Sequence, residues 1–147
     1  MENDIVDSII ENLFHVLHLI HRKLLKINLE GANKNISRLH FPIMGILDEA
    51  GTLPISEIGK RLLIPKSQMT FLVDQLISLG LVEKVPDTRD KRVISIALTG
   101  KGKVTLKECQ ELVRENIRER LSCLEEKELV ELSISLKKLR EIESRLE

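Results

Sequence analysis

Lys66-Ser-Gln-Met-Thr-Phe-Leu-Val-Asp-Gln-Leu-Ile-Ser-Leu79 decides how this chain reads. Met69, Leu72, Val73 and Leu76 fall at i, i+3, i+4 and i+7, the spacing that buries one stripe of a helix. Each residue turns the helix by about 100°, so the far side carries Ser67, Phe71, Asp74 and Ser78, flanked by Gln68, Thr70 and Gln75. An ordinary solvated face is rich in Lys and Glu. This one holds hydroxyls, amides, one aromatic ring and a single charge. Small groups that both donate and accept hydrogen bonds are what base edges in a major groove require.

The flanks complete a reading unit. Upstream, Ser56-Glu-Ile-Gly-Lys-Arg-Leu-Leu63 reads as a short helix with Ser56 as N-cap and Ile58, Leu62 and Leu63 as core positions. Ile64-Pro65 breaks it, because the residue before a proline leaves the helical region and proline suits the start of the next helix. Two short helices about a tight turn form a helix-turn-helix. Downstream, Gly80 supplies a helix stop. Leu81 to Val85 and Val93 to Leu98 read as two strands around Pro86-Asp87-Thr88-Arg89-Asp90-Lys91, which is turn chemistry. That hairpin is a wing.

Further out, Asp4 to Asn28 reads as one long helix. Ile5, Ile9, Leu13, Val16, Ile20, Leu24 and Ile27 form its apolar row, widened by Val6, Ile10, Leu17 and Leu25. Glu30 to Ser37 reads as a loop and Arg38 to Glu49 as a helix capped by Ser37. Thr52 to Pro54 is short and extended, a candidate third strand. Thr99 is expected to cap a helix reaching Leu121, with Leu106, Cys109, Val113, Ile117 and Leu121 on one side. After a turn at Ser122 to Glu126, Leu129, Leu132, Leu136, Leu139, Ile142 and Leu146 mark a last helix. The expected fold is mainly α with a small β wing: a winged helix-turn-helix with long N- and C-terminal dimerisation helices. Its expected divisions are 1–36 (dimerisation helix and loop), 37–99 (DNA-binding domain) and 100–147 (dimerisation helices). The end helices carry more apolar surface than one small domain covers, so they are expected to pack on a second copy as a two-fold homodimer.

Composition agrees with a helical core. Of 147 residues 42% are hydrophobic but only 2% aromatic, with no Trp or Tyr, so aliphatic side chains must fill the interior. The net charge is zero, which argues against a non-specific nucleic-acid coat. Its distribution is uneven. Between Lys60 and Lys103 nine basic residues face four acidic ones, so that stretch is +5 and the remainder −5. The first turn is acidic and no apolar run approaches the ~20 residues of a membrane span. With too few cysteines for a secreted disulfide scaffold, a cytoplasmic protein is expected. No Gly-rich phosphate loop, paired carboxylates or nucleophile–base pair supports an enzyme, and no cofactor is expected.

At this point the chain resembles the MarR-type (multiple antibiotic resistance regulator) transcriptional regulators over nearly its whole length. Ile55 to Leu62 is similar to that family's first reading helix. Ser67 to Leu76 with Gly80-Leu81-Val82 is similar to its recognition helix and exit. Asp90-Lys91-Arg92 followed by Ile96-Ala97-Leu98-Thr99-Gly100-Lys101-Gly102 is similar to its wing. The resemblance implies a homodimer on pseudo-palindromic double-stranded operator DNA, usually released by a small molecule, an oxidant or a metal. It departs from the family at Phe71 and Gln75, where a basic residue is common, and at Pro65, where a Ser or Thr cap is usual.

The residues expected to meet DNA are Lys66, Ser67, Gln68, Thr70, Phe71, Gln75, Arg89, Asp90, Lys91 and Arg92. Ser67, Gln68 and Thr70 sit near the helix N-terminus, where base contacts fall, and Gln can pair with adenine. Phe71 either packs on a thymine methyl or turns back against the domain. Lys66 would meet phosphate. Arg92 is expected to enter the minor groove, with Asp90 aiming its guanidinium. The competing reading is a winged-helix module that binds protein.

His15, His18 and His21 step along the first helix, and with His40 they raise a transition-metal site. No carboxylate or Cys accompanies them at ligand spacing, so polar groups lining a cavity are the expectation. His15, His18, Arg22 and His40 are the candidates for holding an anionic effector. Cys109, on an apolar stripe, is expected to be inert, and Cys123 lies at a helix junction.

Overall fold

The computed structural model describes residues 1–24, 29–87 and 89–146. Its order is α1 (Glu2–Leu19), a π turn (Ile20–Leu24), a 3-10 turn (Leu29–Gly31), α2 (His40–Ala50), β1 (Thr52–Pro54), α3 (Ile55–Leu62), α4 (Lys66–Ser78), β2 (Val82–Pro86), β3 (Ile94–Leu98), α5 (Gly100–Leu121) and α6 (Glu126–Glu143). Two compact units result. One holds Lys26–Val113; the other holds Met1–Leu25 with Arg114–Glu147.

The first unit is the winged domain. Its antiparallel sheet has the order β1-β3-β2. Thr52 pairs with Ala97 on one side of β3, and Val82 pairs with Leu98 on the other. The core gathers Ile43, Met44 and Leu47 of α2, Ile58 of α3, the α4 stripe, Leu81, Val82, Ile96, and Leu106 and Cys109 of α5. Met69, Leu72, Val73 and Leu76 are all buried, as their spacing requires. Each fully buried aliphatic side chain contributes roughly 1.5–3 kcal/mol, so this stripe is what holds α4 to the domain.

Glycine matters most at two contacts. Gly80 has φ +72 and ends α4 in a Schellman arrangement, with Leu81 N–H donating to Leu76 O at 3.0 Å and Gly80 N–H to Ile77 O at 2.9 Å. At Gly102 a Cβ would lie 2.0 Å from the Leu81 carbonyl oxygen, so only glycine lets α5 pass there. Thr99 caps α5 as its sequence suggests: its Oγ1 accepts from Gly102 N–H at 3.0 Å and donates to Gly80 O at 2.6 Å. Lys101 Nζ adds a bond to Leu79 O at 2.9 Å. The start of α5 is thereby tied to the exit of α4.

Three expected boundaries change. Helix α2 starts at His40, not Arg38, and Ser37 does not cap it. Pro42 has no N–H to donate to residue 38, so it is tolerated only within the first turn of the helix. Ser37 Oγ instead accepts from Leu39 N–H at 3.3 Å, in a turn before the helix. Ser56 is not the cap of α3, because β1 runs straight into that helix and Pro54, still extended, is its N-cap. The first helix is regular α-helix only to Leu19 and continues as the π turn Ile20–Leu24. The end of that expected row, Leu25 and Ile27, lies outside the described residues. So do the side chains of His21 and Leu24, and Thr88 in the wing.

The second unit has a different character. No residue of α1 or α6 is buried. Ile5, Ile9, Leu13, Phe14 and Leu17 of α1 are exposed, as are Val130, Ile134, Leu136, Leu139 and Ile142 of α6. Helix α6 starts in a capping box, in which Glu125 N–H donates to Glu128 Oε2 at 2.9 Å. Among the described residues no helix is long and apolar enough to cross a membrane.

Candidate nucleic-acid interface

Helix α4 presents its polar face because α3 lies close beneath its other side. Gly59 is buried, and a Cβ there would stand 3.1 Å from both Ile64 O and Met69 Cγ. Leu63 closes α3 in the left-handed region at φ 55 and ψ 40, where Ile64 N–H reaches back to Gly59 O at 2.9 Å. That conformation costs an L-residue roughly 1–2 kcal/mol, and it turns the chain sharply enough for Pro65 to open α4.

Lys66, Ser67, Gln68, Thr70 and Phe71 are all exposed. Phe71, at 62% exposure, takes the outward of its two expected placements. Thr70 Oγ1 donates to Lys66 O at 3.1 Å.

Gln75 differs from the other expected contact residues of α4. It is half-buried, and its Oε1 lies 2.9 Å from His40 Nε2. Gln75 sits on the border of the buried stripe, and its long side chain reaches inward to a polar partner.

The wing is built by two aspartates. Asp87 Oδ1 accepts from Arg89 N–H at 2.7 Å and Asp90 N–H at 3.3 Å. Asp90 Oδ1 accepts from Arg92 N–H at 2.9 Å and Arg92 Nε at 3.3 Å. Arg92 is 93% exposed. An ion pair this open adds little stability; it holds the guanidinium beside Asp90 while leaving it open to solvent. Arg89 and Lys91 are also exposed. Between the α3–α4 turn and the base of the wing runs a groove of about 780 Å³, with Lys60, Lys66, Thr70 and Arg92 among its lining. Three cations along one groove suit a phosphate backbone.

The effector candidates separate. His40 is 1% exposed and belongs to the winged unit. Its Nδ1 accepts from Ser37 N–H at 2.9 Å, and its other nitrogen faces Gln75. Burial lowers its pKa below the usual histidine value, with the Gln75 bond opposing that shift. Both of its ring nitrogens are engaged within the winged unit. His15, His18 and Arg22 are exposed in the helical unit, where Arg22 Nη1 lies 3.4 Å from His18 Nε2. Among the described residues no group of three or more His, Cys, Asp or Glu is placed to hold a metal ion. Cys109 is buried, and its thiol pKa is raised by burial and then by the charge of Glu108, which disfavours the reactive thiolate. Cys123 is exposed, its Sγ–H donating to Arg120 O at 3.1 Å.

The His40–Gln75 pair is what sequence reasoning missed. His40 precedes Ile43, Met44 and Leu47 at i+3, i+4 and i+7, which is itself the signal that the imidazole points into the core.

The chain and its fold are similar to known proteins. A family model described as MarR family matches residues 34–93. The HTH-type transcriptional repressor MdtR of Bacillus subtilis is 25% identical over 126 residues, covering 85% of this chain and 81% of that protein. The crystal structure of a MepR-like protein complexed with pseudoligands is 31% identical, covers 93% of this chain and 94% of its own, and superposes with a TM-score of 0.57. A cysteine variant of MarR from Escherichia coli complexed with operator DNA is 26% identical, with 95% and 97% coverage and a TM-score of 0.65.

Proposed function

The chain belongs to the MarR family, and from that premise we propose a homodimeric, sequence-specific DNA-binding transcriptional regulator, a repressor released from its operator by a small effector. The family is one of transcriptional regulators, so no catalytic site is assigned. The observation that carries the DNA reading is one surface: the exposed row Ser67, Gln68, Thr70 and Phe71, beside the outward Arg92 of the wing. The row supplies hydrogen-bonding groups and one apolar contact for base edges, while Lys66, Arg89 and Lys91 supply phosphate contacts.

Residues 37–99 are the proposed DNA-binding part, with 1–36 and 100–147 for pairing. The unburied apolar rows of α1 and α6 support a second copy as their partner. A two-fold pair of reading helices implies a pseudo-palindromic site with half-sites about one duplex turn apart. For the effector, His15, His18 and Arg22 remain as candidates.

Selecting bound duplexes from a random pool tests the reading directly. An inverted repeat should emerge, and affinity should fall steeply with salt as counterions are released. A flat salt response would favour the protein-binding module. On the selected duplex, Arg92→Ala should cost ~1–3 kcal/mol and reduce the salt slope by about one. Unchanged binding would remove Arg92 from the site.

A further inference from the structure

The roles of the atoms around His40 are fixed by chemistry. A backbone N–H only donates, so the Ser37 N–H at 2.9 Å makes Nδ1 an acceptor. The ring proton therefore sits on Nε2, which donates to Gln75 Oε1 at 2.9 Å. Ser37 Oγ lies 3.1 Å from Nδ1 and completes the ring's surroundings. The ring itself is buried among the α2 stripe of Ile43, Met44 and Leu47. A leucine in that place would need no partners, whereas a buried imidazole is tolerated only with both nitrogens satisfied.

Helix α4 is otherwise held by apolar contacts, which are non-directional and define its distance from the core better than its rotation. Among the described residues no other side-chain hydrogen bond joins Lys66–Ser78 to a different element. The exit of α4 is fixed by Thr99 and Lys101. One further directional bond before that exit sets how far the helix can roll.

We propose that His40 is a positioning residue for DNA recognition: through Gln75 it fixes the third turn of α4 against the start of α2 and so sets the angle at which Ser67, Gln68, Thr70 and Phe71 meet the bases. Gln75 then acts through His40 and does not touch DNA. This inference rests on the DNA-binding reading for its effect on affinity, but not for its effect on the helix.

Two isosteres separate the two bonds of the ring. His40→Asn places an amide oxygen near Nδ1 and keeps the Ser37 bond, but cannot reach Gln75. His40→Gln places an amide N–H near Nε2 and keeps the Gln75 bond. Hydrogen exchange on the free protein should show the amides of the third turn of α4 losing protection in His40→Asn and retaining it in His40→Gln. On the selected duplex His40→Asn should weaken binding about fivefold, the equivalent of one net hydrogen bond, and His40→Gln should restore it. Gln75→Ala should weaken binding to the same extent alone and have no added effect on His40→Asn.

Equal protection in the two His40 variants would overturn the proposal. So would a further loss when Gln75→Ala is added to His40→Asn, because Gln75 would then be contacting DNA itself. If the wild-type chain selects no duplex, the DNA reading fails, and the exchange experiment still decides whether His40 orders α4.

Discussion

At the scale of single residues, two side chains carry consequences that burial alone does not reveal. Leu63 is held at φ 55 yet is 91% exposed, so it has strain and almost no packing to lose. Leu63→Gly should raise stability by ~0.5–1 kcal/mol, the relief of strain exceeding the added freedom of the unfolded chain. Denaturant melts of the two proteins measure this, and a loss of stability would show that Leu63 packs in solution. His40 is the other. Its folded pKa lies below its unfolded value near 6.5, so between the two the unfolded chain binds more protons. Its contribution to stability is present above pH ~6.5 and is lost as pH falls through that value toward the folded pKa. His40→Gln should therefore show a smaller drop in stability between pH ~7.5 and ~5.5 than the wild type, measured in parallel melts.

At the scale of elements, what was legible in the sequence was local. The α4 stripe, its Gly80 stop, the wing turn and the Thr99 cap each lie within a few residues of their cause, and each appears where periodicity and turn chemistry place it. Ser37 and Ser56 were misread as caps because what competes with them is not visible in the cap pattern: a proline at position 42 and a strand pairing of Thr52–Pro54 with β3. The outward row of the candidate site was readable from helical phase. The inward turn of Gln75 was not, since its partner stands 35 residues earlier. The junction of α4 and α5 shows how little room such tertiary demands leave. Gly102→Ala would drive a methyl into the Leu81 carbonyl. It should cost at least ~2–4 kcal/mol, the range of severe packing errors, and melt the wing together with the start of α5. A variant with unchanged Tm would mean the two backbones separate readily.

At the scale of the whole molecule, the helical unit leaves its apolar side chains to solvent in a single copy. Exposed apolar surface of this extent marks an interface. If the proposed homodimer forms through these faces, Leu136→Glu combined with Leu13→Glu should lower it to a monomer in sedimentation experiments, while the winged unit, with its separate core, keeps its fold. Operator affinity should collapse with it, because two half-sites read by one linked pair gain from effective concentration and two free monomers do not. A double variant that still sediments as a dimer would place the interface elsewhere.

The exposed row on α4 has a quieter implication. Ser67, Gln68 and Phe71 are exposed, while the four residues on the opposite side of the helix bear the packing. Vocabulary and grammar are thus kept on separate faces of one cylinder. If the outer face reads bases as proposed, new words can be written there by exchanging these three side chains, and the packing stripe of the domain is left intact.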